Sequence, residues 1–186
     1  VLLSSIAQTL ASKTFPADPV SAGDRQARDA FLAGDALFFP PDPTETSATI
    51  GGMVSNNASG ARSYRYGATR DYIHALRVVL ADGSTLALVR GGARAVGRRF
   101  SLTTEEGRPI AGLLPLYDMP AVKNAAGYFA RDNMDLIDLF IGAEGTLGVI
   151  SELTLRLVPA PAVCWGATVF LPDEEAALAF VERLRQ

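Results

Sequence analysis

Residues 75–89 read ALRVVLADGSTLALV, and this stretch decides the fold. Two runs rich in β-branched and aliphatic residues, 76–80 and 85–89, flank the pair Asp82-Gly83. An Asp-Gly pair between such runs favours a tight turn, because both residues tolerate positive φ. The sequence therefore predicts an antiparallel β-hairpin at this point of the chain.

A second strand is predicted downstream, where residues alternate with a period of two. The apolar side chains of Val149, Leu153, Leu155 and Leu157 fall on one side, and Glu152, Thr154 and Arg156 fall on the other. This alternation is typical of a half-buried strand. Together with the hairpin it predicts an α+β fold, with an antiparallel or mixed sheet flanked by helices.

Other elements are predicted from shorter signals. Helices are expected over residues 1–12, over 22–33 with Gly34 as a C-terminal cap, and over 172–186 with acidic residues in the first turn. The prolines of LFFPPDPT, residues 37–44, exclude a regular ladder. We expect a loop at 91–99, a short helix or buried turn at 110–117 and a strand at 164–171.

Composition limits the function classes. The chain has 186 residues, 48% of them hydrophobic and 20% charged, which is typical of a globular domain. Since no apolar run approaches the ~18 residues of a membrane span, and the first residues lack a basic leader, we expect no membrane span and a cytoplasmic location.

One cysteine, Cys164, and one histidine, His74, leave no internal disulfide and no predicted metal site. Cys164 is interpreted as a packed thiol and His74 as a partly buried strand residue.

Positive charge is concentrated in residues 61–99. This segment has eight arginines against only Asp71 and Asp82, a net charge of +6, although the whole chain carries −3. Either a solvated arginine-rich surface or a face for a phosphate-bearing ligand explains this pattern. Nucleic acid is not expected, because the protein is acidic overall and its aromatic residues do not interleave with the arginines.

Two glycine-rich segments are candidates for a binding site: TIGGMVSNNASGARSYRYGATRD at 49–71 and IGAEGTLG at 141–148. Glycine allows a ligand to approach the backbone, and free N–H groups in such turns bind anions. A structural loop with capping side chains is the alternative, and spacing alone favours it, because neither G-x-G-x-x-G nor G-x-x-x-x-G-K-[ST] occurs. Glu144 within the second segment is either exposed or held by a polar partner such as a ribose hydroxyl.

The order of these motifs resembles a known family. The first block contains five motifs in order: P-D-P at 41–43, T-I-G-G at 49–52, N-x-x-G at 57–60, Y-G-x-x-R-D at 66–71 and V-L-x-D-G at 79–83. The second block contains KNAAGY at 123–128 and LFIGAEGTLGVISELTLRL at 139–157. This order is similar to the FAD-binding domain of the vanillyl-alcohol oxidase and p-cresol methylhydroxylase (PCMH) class of FAD-linked oxidases. Within that class it looks most like the D-lactate dehydrogenase and glycolate oxidase subunit branch, and the matches span about residues 36–160.

The resemblance implies a partial PCMH-type FAD-binding domain, its second half, with non-covalent FAD. It implies cofactor contacts by residues of both segments: Thr49, Ile50, Gly51, Gly52, Asn57, Ala58, Ser59, Gly60, Tyr66, Gly67, Glu144, Gly145, Gly148, Val149 and Ile150. It names no catalytic base, because in the family that group usually comes from the cap domain. Residues 1–35 form an atypical or truncated helical segment in this scheme, 36–160 the FAD-binding portion and 161–186 the start of an incomplete substrate (cap) domain.

Two functions follow from the resemblance. The first is a portion of an FAD-dependent oxidoreductase that transfers a hydride from a small 2-hydroxy acid, such as D-lactate or glycolate, to flavin and passes electrons to an acceptor. The second is a non-catalytic remnant or split module that binds FAD weakly or serves as an interaction partner. The loop of the type P-x-x-x-R-G-x-G-T, which cradles the pyrophosphate in the family, is not found upstream of Phe38. The resemblance leaves homo-oligomerisation open.

Overall fold

A computed structural model describes residues 1–125 and 127–185. Ala126, in the predicted K-N-x-x-G-Y motif, and Gln186, at the end of the last predicted helix, lie outside the described residues. The helices are α1 Leu3–Ser12, α2 Ala22–Ala33, α3 Ile50–Ser55, α4 Ser63–Tyr66 and α5 Glu174–Leu184, with short 3₁₀ turns at Thr69–Tyr72 and Leu136–Leu139. The strands are β1 Leu37–Phe38, β2 Ile73–Val79, β3 Thr85–Val89, β4 Arg99–Thr103, β5 Pro109–Leu113, β6 Val149–Leu155 and β7 Val158–Pro159.

The central sheet has the antiparallel order β3-β2-β6, which confirms both the hairpin and the predicted α+β class. The turn differs from the prediction, because Gly83 takes a φ of 84° while Asp82 does not adopt positive φ. The Asp82 carboxylate instead accepts hydrogen bonds from the Ser84 N–H at 3.1 Å and the Ser84 hydroxyl at 2.6 Å. A side-chain hydrogen bond of this type stabilises a turn that needs only one left-handed residue.

Strand β6 departs from simple alternation at Ser151. Arg77 pairs with Glu152 while the next residue, Val78, pairs with Ile150, so one extra residue forms a β-bulge. As a result Ile150 packs against the core beside Leu153. The prediction that Val149 faces the core was wrong, since its side chain is 70% exposed.

Three short elements also differ from the sequence predictions. Residues 109–113 form strand β5, not a helix or buried turn, because β4 offers a partner in which Leu102 faces Ile110. The two residues before the prolines, Leu37 and Phe38, do form a short ladder with Val158–Pro159. Residues 164–171 form no strand, and the side chain of Phe170 is 91% exposed, because no strand within the described residues pairs with this segment.

The predicted helices are confirmed, with caps that explain their boundaries. Ser21 and Asp24 form a reciprocal capping box at the start of α2, and the Asp173 carboxylate accepts from the Ala176 N–H at 2.8 Å at the start of α5. Gly34 does end α2, but in an extended conformation with a φ of −85°. Neither α2 nor α5 has a buried residue. The core therefore lies between α3, the central sheet and the segment that surrounds Leu136–Leu139.

A partly buried ion cluster joins the parts of this core. The Asp138 carboxylate lies 3.0 Å from guanidinium nitrogens of both Arg70 and Arg90. Arg90 also donates to the carbonyl oxygens of Ile73 and Arg70, both at 3.0 Å. Burial lowers the pKa of Arg70, although the nearby Asp138 opposes this shift. The cluster thus ties the end of β3 to the start of β2 and to the second glycine-rich segment.

Most of the arginine-rich segment is neutralised within the protein. Beyond the cluster, ion pairs join Arg62 to Asp42, Arg77 to Glu105 and Glu152, and Arg98 to Asp132. These pairs argue against one continuous face for a polyanion. Positive charge that is available to a ligand is therefore confined to particular clefts.

We predict that Asp138→Asn lowers the free energy of unfolding by about 3 kcal/mol, because it leaves two guanidinium groups without their shared carboxylate. Urea denaturation measures this change. Asp132→Asn is the matched control, since Asp132 pairs with Arg98 but is 62% exposed, and it should cost at most about 1 kcal/mol. Equal losses in the two variants would contradict the structural role of the cluster.

Candidate functional site

The first glycine-rich segment begins with a short helix, α3. Thr49 caps this helix, and its hydroxyl oxygen accepts from the Gly52 N–H at 3.1 Å. Ile50, Met53 and Val54 are buried and fix one side of α3 against the core. Gly51 lies on the more open side, where an added Cβ would meet no atom within 4 Å. The T-I-G-G motif is therefore a helix start that presents bare backbone outward.

The second glycine-rich segment lies directly against the end of α3. The Gly142 N–H donates to the Val54 carbonyl at 2.9 Å, and the Glu144 N–H donates to the Ser55 carbonyl at 2.8 Å. Five residues further along, β6 begins and joins the central sheet beside β2. The fold thus brings together two segments that are about 90 residues apart in the sequence.

Residues of the first glycine-rich segment line two clefts. The first, which we call the helix-strand cleft, lies between α3 and β6, has a volume of about 370 Å³ and is lined by Thr49, Ile50, Gly51 and Ile150 among the predicted cofactor residues. This volume is at the lower end for small-molecule sites, which suits part of a dinucleotide rather than all of it. The open backbone at Gly51 gives a planar or sugar group room to approach. The residues present therefore fit a segment of a cofactor such as FAD.

The second cleft, which we call the basic cleft, has a volume of about 310 Å³. It lies between the turn at 67–71 and the segment 119–131, and Asn57 and Gly67 are the predicted cofactor residues that line it. Asn57 adopts a left-handed φ of 46°, and its Oδ1 accepts from the Arg70 N–H at 2.9 Å. Three cationic side chains, which the sequence did not single out as ligands, also line this cleft: Arg70, Lys123 and Arg131. Arg70 belongs to the motif Y-G-x-x-R-D and Lys123 to the motif K-N-x-x-G-Y, so the sequence did carry a signal that could have identified these two residues.

Several predicted cofactor residues have a packing role in this structure. A Cβ on Gly60 would overlap the backbone of Asp42, and one on Gly67 would overlap the Asp71 carboxylate. A Cβ on Gly52 would lie 3.0 Å from the Thr49 hydroxyl, and one on Gly148 would overlap the Val78 side chain. Close packing therefore explains Gly60, Gly67 and Gly148 without a ligand, whereas the contact at Gly52 is tight but not an overlap.

The remaining predicted residues line neither of the two clefts. Ala58 accepts from the Thr69 N–H at 3.0 Å, and the Tyr66 carbonyl accepts from the Tyr72 hydroxyl at 2.6 Å. Ser59 is half-buried, whereas Glu144, Gly145 and Val149 are exposed to solvent. For Glu144, exposure is one of the two alternatives that the sequence predicted, the other being a polar partner. Among the described residues, six of the fifteen candidates thus line the two clefts, four in the helix-strand cleft and two in the basic cleft.

The residues excluded from chemistry stay outside the site, although their environments differ from the predictions. Cys164 is exposed, not packed, because residues 164–171 do not join a sheet. His74 is also exposed, on the outer side of β2. Within residues 1–125 and 127–185 no group of three or more His, Cys, Asp or Glu side chains is placed to hold a metal ion. In the same ranges, no helix has both the length and the apolar character that crossing a membrane requires.

The two glycine-rich segments of this α+β domain meet at the basic cleft, where Gly142 of the second segment lies beside Asn57 and Gly67 of the first. The family model of the FAD binding domain matches residues 25–88, which include most of α2, all of α3 and most of the hairpin. The chain belongs to the FAD-linked oxidase family and carries part of its FAD-binding domain, as the resemblance predicted.

Curated relatives agree with this assignment. A D-lactate dehydrogenase of Anaerostipes hadrus is 38% identical over 135 residues, covering 73% of this chain and 21% of that protein. The glycolate oxidase subunit GlcD of Bacillus subtilis is 36% identical over 126 residues, covering 67% of this chain and 19% of that protein. A D-2-hydroxyglutarate dehydrogenase of Stutzerimonas stutzeri is 30% identical over 159 residues, covering 83% and 27%. The chain spans about a fifth of the length of the first two relatives.

The contrast between two glycines gives a stability test of this site. We predict that Gly60→Ala destabilises the protein by at least about 2 kcal/mol, because Asp42 lies between Pro41 and Pro43 and cannot easily move aside. Gly51→Ala should be neutral or stabilise by up to about 1 kcal/mol, since alanine favours a helix and meets no neighbour. Thermal unfolding followed by circular dichroism separates the two. Similar destabilisation by both variants would refute the assignment of Gly51 as open backbone.

Proposed function

We propose that this chain is the portion of an FAD-dependent oxidoreductase that forms one wall of the flavin-cofactor site, in a protein that oxidises a small 2-hydroxy acid. The observation that carries the proposal is the helix-strand cleft, where Gly51 of the T-I-G-G motif and Ile150 of the motif at 139–157 line the same opening. FAD, when bound, supplies the redox chemistry by accepting a hydride from the substrate. The names of the relatives, which include two dehydrogenases of 2-hydroxy acids and a glycolate oxidase subunit, support the substrate class.

The residues of this chain would bind and orient the cofactor. Half-buried Ile150 offers apolar surface on one side of the helix-strand cleft, and the bare backbone at Gly51 allows close approach on the other. The rigid anchoring of α3 through Thr49 and its buried side chains keeps this surface in place before a ligand arrives. Preorganisation of this kind reduces the ordering cost of binding. The other predicted contacts, at Asn57, Glu144 and Val149, remain part of the proposal.

A non-catalytic module that binds FAD weakly is the second candidate. It is favoured by the exposure of Glu144, Gly145 and Val149, which leaves part of the proposed wall open to water in this chain. An open wall makes fewer contacts to a dinucleotide than an enclosed site does. For either candidate we infer that residues 161–186 begin a further domain, since the side chain of Trp165 is 93% exposed. The cytoplasmic location, the electron acceptor and homo-oligomerisation stay predictions.

A cofactor titration with a matched pair of variants tests the proposal. We expect the purified chain to quench FAD fluorescence with saturable but weak binding. Gly51→Val should raise the dissociation constant about tenfold or more, or about 1.4 kcal/mol, by filling the helix-strand cleft. Gly166→Val is the control, because an added Cβ at Gly166 also meets no atom within 4 Å but the residue lies away from both clefts. Absence of FAD binding at millimolar concentration, or equal effects of the two variants, would refute the assignment.

A further inference from the structure

The basic cleft carries an excess of positive charge that the cofactor proposal does not use. Three cations, Arg70, Lys123 and Arg131, line it against one carboxylate, Asp71. Asp138 pairs with Arg70 from the core side, so it neutralises charge behind the cleft wall rather than inside the cleft. The cleft therefore faces solvent with more cationic than anionic side chains.

Phe129 holds two of these cations close together. The guanidinium carbon of Arg70 lies 4.2 Å from the centroid of the Phe129 ring, and that of Arg131 lies 5.1 Å from it. Each contact is favourable by itself, but two guanidinium groups that share one ring also repel each other. An anion beside them would reduce that repulsion.

The two groups on the ring differ in how they are held. Arg70 is fixed, because its guanidinium donates to the Asp138 carbonyl at 2.8 Å and to the Ile141 carbonyl. Within residues 1–125 and 127–185, no carboxylate lies within ion-pair distance of the side chains of Arg131 or Lys123. Arg70 thus supplies a fixed charge, while the other two cations have their donors available.

A neutral donor completes the arrangement. Asn57 uses its Oδ1 to accept from the Arg70 N–H, which leaves its side-chain NH₂ group at the edge of the same cleft. A compact anion could accept from this amide as well as from a guanidinium fork, whose paired donors match the geometry of a carboxylate.

We propose that the basic cleft is a binding site for the carboxylate of a small organic acid, with Arg131 and Lys123 as the pairing cations and Arg70 as the fixed charge behind Phe129. The identification of this acid as the 2-hydroxy acid substrate rests on the proposed function. The site itself rests only on the charges and contacts of the cleft. Asp71 in the lining favours a singly charged carboxylate over a multiply charged phosphate group.

The test is a nuclear magnetic resonance titration of the full chain with glycolate at constant ionic strength, with glycolamide as the uncharged isostere. We expect saturable amide shifts at Gly127, Arg131 and Gly142 with glycolate, and about tenfold weaker binding of glycolamide. Arg131→Gln should weaken glycolate binding about tenfold and Lys123→Gln about threefold. Arg99→Gln is the control, because Arg99 is an exposed arginine on β4 that does not line the cleft.

Three results would overturn the inference: equal binding of glycolamide, equal effects of Arg131→Gln and Arg99→Gln, or inorganic pyrophosphate binding about tenfold tighter than glycolate. Tighter binding of pyrophosphate would show that the cleft binds a phosphate group. If FAD then displaced the pyrophosphate, that phosphate group would belong to the cofactor. An FAD titration of the same samples separates this inference from the proposed function. If FAD binds but glycolate causes no shifts, the carboxylate site alone is refuted. If glycolate causes shifts but FAD does not bind, the cofactor assignment alone is refuted.

Discussion

The ion cluster of Arg70, Arg90 and Asp138 is the interaction on which the rest of the site depends. Its hydrogen bonds reach the start of β2, the end of β3 and the carbonyl oxygens of the segment 138–141. Two of its three side chains are largely shielded from solvent, with exposures of 15% for Arg70 and 10% for Asp138. Charges removed from water in this way are retained only where they have good partners, so the cluster permits essentially one arrangement of these segments.

That arrangement determines where ligands can approach. With the 138–141 segment fixed, Gly142 and Glu144 hydrogen-bond to the carbonyl oxygens at the end of α3. The start of α3 then faces β6 across the helix-strand cleft, whereas Asn57, two residues after the end of α3, lines the basic cleft. The first glycine-rich segment therefore contributes to two chemically different openings, one with apolar walls and bare backbone and one with cationic side chains. A cofactor and a small acid could occupy neighbouring positions on such a wall.

The sequence predicted those parts of the structure whose signals are local. The Asp-Gly turn, the alternation near 149–157, Gly34 at the end of α2 and the acidic first turn of α5 each act within a few residues, and the elements they predicted are present. Features set by distant partners were missed. The bulge at Ser151 arises from pairing with β2, and β5 exists because β4 is available to it. Likewise the motif predicted that Gly60 contacts a ligand, but in the structure Gly60 packs closely against the backbone of Asp42.

The most direct measurement of the central claim is backbone hydrogen exchange of the chain with and without FAD. If the T-I-G-G motif and the start of β6 form one cofactor wall, FAD should slow exchange together at 49–51 and at 150–151, which lie about 100 residues apart in the sequence but line the same cleft. Exchange of the amides of the exposed residues 163–171 should not change. Protection of only one of the two segments, or protection confined to residues outside both clefts, would contradict the account.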